Sequence, residues 1–302
     1  MLHEVSATSL NLRSEPRVAP TNRIATLPQG HRVEKIADAA ADWWKVQTTV
    51  NATTLVGFAA SRFLTTSEEA GPAAQSAAAN VGAVHLPENR ADVKRAGTSG
   101  RAFPLGEPDR PRRDGALRDS RVAQLHDIIR YLDVETHARY QKTPGATYCN
   151  IYAYDFCYLA GVYVPRVWWT SRALADLGAG RAVPVRYGES VRELNANSLH
   201  DWFEDFGGQF GWRRAADLDQ TQQTANAGGI GIIVAQRSDL NRSGHIVIVV
   251  PETARASAKR LNDRVQLPLQ SQAGSTNSCC ACGTSRWWAG QQFRSFGLWV
   301  HD

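Results

Sequence analysis

The chain has 302 residues, 43% of them hydrophobic and 21% charged, with nine Trp; this excludes wholesale disorder and leaves room for two domains. A formal net charge of +5 is too mild to make nucleic acid the expected partner, though it suits anionic polymers such as cell-wall material. No apolar run is long enough for a transmembrane helix, and the opening MLHEVSATSLNLRSEP lacks the basic-then-apolar pattern of a secretory leader.

Residues 5–65 alternate apolar and polar side chains between Pro, Gly and Asn. The pattern predicts short strands at 5–12, 23–27, 32–37, 43–48 and 55–59, and their spacing predicts a small barrel. Four pieces of this region, LNLRSEP, IATLPQGHRVEKI, DWWKVQT and LVGFAASRFL, occur in the order found in bacterial SH3-like domains, which residues 1–66 resemble. Phe58 stands where that family often has Trp. The resemblance implies an SH3-like barrel that holds wall peptide or glycan.

Residues 67–118 are rich in Ala, Gly, Pro and Ser, and Phe103 is their sole aromatic. Such a segment has no core of its own and reads as a linker, with Arg110, Arg112 and Arg113 as solvated charges on it.

Regular patterning resumes in residues 119–302. Val122, Leu125, Ile129 and Leu132 lie on one face of an amphipathic helix. A second helix starts at Cys149 in CNIYAYDFCYLAG and stops near Gly161. A third covers 171–177. A fourth, over 198–206, turns Leu199, Trp202, Phe203 and Phe206 to the core, and a fifth runs over 215–227 to Gly228-Gly229. The period then becomes two, and IGIIVAQ, HIVIVV and RVQLPLQSQ read as strands. Helices followed by strands give an α+β class with an antiparallel sheet.

Five Cys are present, an odd number that cannot all pair within one chain. Cys149 is placed at a helix start, where unsatisfied N–H groups favour a thiolate and can receive an oxyanion. Cys157, in the same helix, reads as an inert core thiol; Asn150 is available as an oxyanion donor but reads rather as a capping or core hydrogen-bonding residue. His245, at the head of a buried strand with Gly244 before it, supplies a base. The base needs an orienting group, for which Gln272, Gln270 and Asn277 are available. Gln272 is preferred because it stands where its strand leaves the sheet, and Gln270 shares its face.

A Cys helix, then a His strand, then a polar orienter resembles the NlpC-type and CHAP-type cell-wall cysteine peptidases and amidases of the papain-like group. TYCNIYAYDF and SGHIVIVV carry the resemblance; the family's DCSG reads YCNI here, and Cys149 and His245 are further apart than usual. It implies helices packed on an antiparallel sheet and acyl-enzyme cleavage of an amide with no cofactor or metal. It also implies an upstream Tyr supporting the oxyanion, with Tyr140 the first choice and Tyr148 the second. The whole chain then reads as a peptidoglycan hydrolase with an SH3-like wall-binding module. Its partners would be peptidoglycan or its peptide fragments, with a secretion or immunity protein besides. It would act at the wall or in the periplasm after lysis or specialised secretion. A protein-directed cysteine protease or toxin, and a catalytically dead binding module, are the alternatives.

The run SCCACG offers only three thiols without Cys-x-x-Cys spacing, and reads as a loop of redox-sensitive thiols rather than a zinc site. Adjacent cysteines are also poorly spaced for an unstrained disulfide. In the pairs Trp43-Trp44, Trp168-Trp169 and Trp287-Trp288 one ring is expected in the core and one at ligand; Trp44, Trp168 and Trp169 are the expected substrate contacts.

Overall fold

Alternating side chains in the first 66 residues form seven strands: β1 (Leu2–Val5), β2 (Ser9–Arg13), β3 (Arg23–Pro28), β4 (Arg32–Ala40), β5 (Trp43–Val50), β6 (Thr53–Ala60) and β7 (Leu64–Thr66). The computed structural model describes residues 2–5, 9–17, 19, 22–28, 31–40, 42–50, 53–66, 81–88 and 90–302. The strand expected over 5–12 is thus seen as β1 and β2, with residues 6–8 outside the described residues. The chain divides into two compact units, 1–78 and 79–302.

In the first unit the strands form one antiparallel sheet in the order β3-β2-β6-β5-β4-β1-β7. Among the described residues β3 and β7 are its two ends, so hydrogen bonding does not close the expected barrel. β7 is three residues long and pairs with β1 alone. Val5, Leu10, Leu12, Leu27, Val33, Val46, Ala59 and Leu64 gather into one apolar cluster, as period-two alternation requires.

The second unit is a mixed α/β body with antiparallel sheets. Its elements are α1 (Arg118–Leu132), α2 (Cys149–Leu159), β8 (Val167–Trp169), α3 (Ser171–Gly178), β9 (Val191–Glu193), α4 (Ala196–Asp205), β10 (Arg213–Arg214) and α5 (Leu218–Asn226). The chain then forms β11 (Ile230–Arg237), β12 (His245–Val249), β13 (Lys259–Leu261), β14 (Arg264–Leu267), β15 (Gln270–Gln272), β16 (Ser278–Ala281) and β17 (Phe293–His301). The main sheet has the order β10-β17-β11-β12-β15-β16, all antiparallel. α2 stops before Gly161, whose φ of +72° is a left-handed turn that costs a glycine little.

The nearly continuous apolar runs of β11 and β12 follow from burial on both faces. Ile230, Ile232, Val234, Ile246 and Ile248 share a cluster with residues of α1, α2 and α4. Ile233, Ala235, Val247 and Val249 pack instead with Leu218 and Ala225 of α5 and with Trp288. The run RVQLPLQSQ is not one strand. Pro268 has no N–H for a ladder, and the chain breaks there into β14, paired with β13, and β15, in the main sheet.

The linker reading needs correction. Residues 67–80 lie outside the described residues, but the stretch before α1 contributes apolar side chains to the core of the second unit, while Arg112 stays exposed as expected. Val84, Leu86, Val93 and Leu105 are buried, although no helix or strand forms there. The Tyr163 hydroxyl accepts from Val84 N–H at 3.0 Å and donates to Val84 C=O at 3.1 Å. Arg113 donates to the carbonyls of Ala160 (3.1 Å) and Gly228 (2.6 Å), tying the segment to the ends of two helices. A segment too poor in apolar groups for a core of its own completes a core that other elements begin. A chain starting at residue 79 is therefore expected to unfold cooperatively in urea. One starting at 119 loses four buried side chains worth about 1.5–3 kcal/mol each and is expected not to fold. Equal unfolding midpoints for the two would refute this role.

Candidate functional site

Cys149 opens α2. The residue before it, Tyr148, makes no side-chain hydrogen bond to the first turn. Its phenol is engaged with the Thr143 hydroxyl at 2.8 Å instead. The first N–H groups of the helix are thus not spent on a cap, and they carry the positive end of the helix dipole.

His245 opens β12, at the end of the hairpin that joins it to β11. That hairpin is pinned by Asn197 of α4, which donates to Arg242 C=O (2.9 Å) and accepts from Arg237 N–H (2.9 Å). A Cβ at Gly244 would lie 2.4 Å from Ala235 O and 2.6 Å from Asn197 Oδ1, so only glycine passes at the residue before His245. The Nε2–H of His245 donates to Gln272 Oε1 at 2.5 Å. This leaves Nδ1 for the hydrogen bond between His245 and the Cys149 thiol. Two elements that begin side by side, with β15 alongside, therefore line up Cys149, His245 and Gln272.

Gln270, two residues back on the same face of β15, does not reach the histidine. Its Oε1 accepts from Trp287 Nε1 at 2.9 Å, and the Trp287 ring stands edge-on to His245 with centroids 4.7 Å apart. Asn277 is spent on the turn after β15: it accepts from Gly274 N–H (3.0 Å) and donates to the carbonyls of Val134 (2.7 Å) and Tyr140 (3.1 Å).

Burial alone pushes the Cys149 thiol up. The hydrogen bond and charge of His245, with the Ile246 and Asn150 N–H groups, outweigh it and bring the thiol below its ordinary range. Burial alone lowers His245, but Cys149 and then Gln272 raise the imidazole above its ordinary value. The pair thus favours thiolate beside imidazolium. Cys157, with burial and no such partner, is pushed far up and stays a thiol.

Tyr140 is not at the thiol. It is fully buried, and its hydroxyl donates to Asp155 Oδ2 at 2.9 Å, beside the Arg139–Asp155 ion pair. Burial and the Asp155 carboxylate push its phenol up, which keeps it a donor to that carboxylate. Tyr148 lies under the Arg101 guanidinium, 3.7 Å from the ring centre. The Asn150 side chain donates to Leu194 C=O at 2.8 Å, a half-buried bond that holds it away from the role of helix cap.

Of the three expected aromatic contacts, Trp168 is buried in the core and Trp44 and Trp169 are half-buried. Trp168 is buried against Tyr163, Trp202, Phe206 and Phe210, and Trp169 packs on the same core. Trp44 lies beside His3 and under Lys35 Nζ. None of these three rings lines the cleft that opens over His245. Trp43 instead lines a cleft of about 430 Å³ in the first unit, with Arg13, Arg17, Asp42, Arg62 and Phe63.

A larger cleft, about 640 Å³, opens over His245, Gln272, Thr147 and Trp287. Cys149 adjoins it but is only 1% exposed. Arg237 and Arg242 stand in the wall, and no Asp or Glu lines it. Arg237 and Arg242 are not among the residues the sequence singles out. The hairpin that delivers a strand-start histidine must border the site, so its two arginines were open to that inference. Of the pair Trp287-Trp288, Trp288 is buried and Trp287 lines the cleft.

Among the described residues no group of three His, Cys, Asp or Glu side chains could hold a metal ion. None of the described helices is long and apolar enough to cross a membrane. No family model matches the chain, and no curated protein matches it in sequence.

Proposed function

We propose that the second unit is a cysteine-dependent amide hydrolase of papain-like kind, close in design to the NlpC and CHAP enzymes, and that it cuts the peptide of peptidoglycan. The observation that carries this reading is the hydrogen-bonded series Cys149–His245–Gln272 beside an open cleft. The thiolate attacks the amide carbonyl, and the uncapped N–H groups of α2 receive the oxyanion. His245 gives its proton to the leaving amine, and the thioester remains. Water then loses a proton to His245 and attacks the thioester, which releases the acid and Cys149. Gln272 holds the imidazole ring throughout. A cleft with two arginines and no carboxylate suits a substrate rich in carboxylates, as wall peptides are. We read the first unit as an SH3-like binding module whose aromatic and basic cleft at Trp43 and Phe63 holds wall material, raising the effective concentration of substrate at the second.

The test is to incubate the protein with purified peptidoglycan and with an unrelated protein, and to identify released fragments by mass spectrometry, with Cys149→Ala as control. Wall peptides carrying new amino and carboxyl ends support the reading. Cleavage of the protein alone favours the protease alternative, and no cleavage of either favours a binding module.

The activity should follow a bell-shaped pH profile. The lowered Cys149 keeps its thiolate to a lower pH than a free thiol, and the raised His245 keeps its proton to a higher pH than a free imidazole. Activity therefore falls on the acid side as Cys149 protonates and on the alkaline side as His245 loses its proton. Gln272→Ala removes a group that favours the imidazolium, so the alkaline limb moves to lower pH and kcat falls roughly 10²-fold. An unmoved limb in kcat/KM measured against pH would remove Gln272 from this role.

A further inference from the structure

Cys279 and Cys280 take no part in the proposed hydrolysis. Where a loop was expected, they lie in β16, paired with β15. On a regular strand adjacent side chains point to opposite faces. Here the register runs Gln270↔Ala281 and Gln272↔Ser278, so β16 carries one extra residue, and both cysteines stand opposite Ser271. Cys280 takes up the bulge with φ of +55°, a left-handed conformation rare for a side chain of this size. The result is that the two sulfurs lie on the same side, 2.9 Å apart. Both residues are half-buried and within reach of solvent, whereas Cys282 is turned away, with its sulfur on Ser257 C=O at 3.1 Å.

We propose that Cys279 and Cys280 are a redox-active dithiol that closes reversibly to a vicinal disulfide, with a low-molecular-weight disulfide as oxidant. One thiolate attacks a sulfur of the oxidant and expels one small thiol. The neighbouring thiol, losing its proton, attacks the mixed disulfide and expels the second. Two protein thiols and one small disulfide become one protein disulfide and two small thiols, so atoms and electrons balance. The attacking thiolate is favoured locally. The Cys280 thiol is drawn below its ordinary range by a hydrogen bond from Cys279, whose own thiol is pushed up. Bonded neighbours have Cα atoms about 3.8 Å apart, whereas a relaxed disulfide spans about 4.4–6.8 Å. The bridge is therefore strained, and strained bridges are the readily reduced ones. Its place is beside the Gln272–Ser278 pair, next to the residue that orients His245. The inference does not rest on the hydrolase reading, because its test reads thiols and mass.

The full chain is equilibrated in mixtures of reduced and oxidised glutathione, quenched in acid and alkylated with N-ethylmaleimide. The expected product is a protein lighter by two hydrogens that takes two fewer alkyl groups, with the bridge mapped by peptide mass to Cys279–Cys280. C279S and C280S should each abolish it, and C282S should retain it. Phenylarsine oxide on the wild-type protein gives a reading independent of any variant's folding. One equivalent per chain should bind both sulfurs with loss of water and shield both from alkylation. A bridge mapped to another pair, glutathione adducts without this bridge at every ratio, or failure of the arsenical to shield the two cysteines together would overturn the proposal.

Discussion

Replacing Cys149 by alanine is expected to lower turnover of an amide substrate by about 10⁴- to 10⁶-fold, because nucleophile and base act as a unit. In the proposed mechanism the Cys149 thiol gives its proton to His245 and attacks as the thiolate, and no other described cysteine shares a hydrogen bond with that ring. His245→Ala should bring a loss of the same order, and the double variant little more. The urea midpoint of Cys149→Ala should stay close to that of the parent, since one small buried atom is removed. Cys149→Ser carries a sharper signature. It removes the principal group that raises His245, so the imidazole, followed by nuclear magnetic resonance, should titrate at lower pH than in the parent. Activity of Cys149→Ala within tenfold of the parent would sink the mechanism.

The largest loss of stability is expected at Asp155. Its carboxylate is fully buried and accepts from Arg139 Nε (2.6 Å), Arg139 Nη2 (3.1 Å) and the Tyr140 hydroxyl (2.9 Å). Arg139 also donates to Phe103 C=O at 2.9 Å, so the network joins α2, the segment before it and the irregular stretch ahead of α1. Asp155→Ala leaves a buried guanidinium without its counter-charge, at a cost of about 3–5 kcal/mol. That is a large share of the ~5–15 kcal/mol that holds a typical domain folded. Replacing both partners by apolar residues, Arg139→Met with Asp155→Leu, should recover most of the loss, because no charge then remains buried. Urea unfolding reads both results, and a loss below about 1 kcal/mol in the single variant would contradict the buried-pair argument.

Much of the site was open to sequence reasoning because local physics sets it. The start of α2 at Cys149 follows from a turn-forming loop before an apolar run. The start of β12 at His245 follows from Gly244 and the apolar residues after it. Period-two apolar runs placed β11 and β12 in the core. Pro268, read only as part of a strand, already carried the reason for the break between β14 and β15.

The residue types and their periods determined where helices and strands begin and which thiol stands at a helix start. Only the tertiary structure decided how the polar side chains are shared out. Gln270 and Gln272 have the same chemistry and the same strand face. The packing of Trp287 assigns one to the indole and the other to the imidazole. Tyr140 precedes Cys149 at a plausible spacing, yet its hydroxyl belongs to Asp155, an acid nearly two turns further along α2 than the thiol. Cys279 and Cys280 would face apart on a regular strand, and a bulge set by β15 turns them together. Val84, Leu86, Val93 and Leu105 belong to a stretch that looks too polar to fold, and they are buried because other elements supply the rest of their core. In each case the deciding partner is distant in the chain. Patterning fixes a side chain's direction relative to its own backbone, and what it meets depends on register and packing.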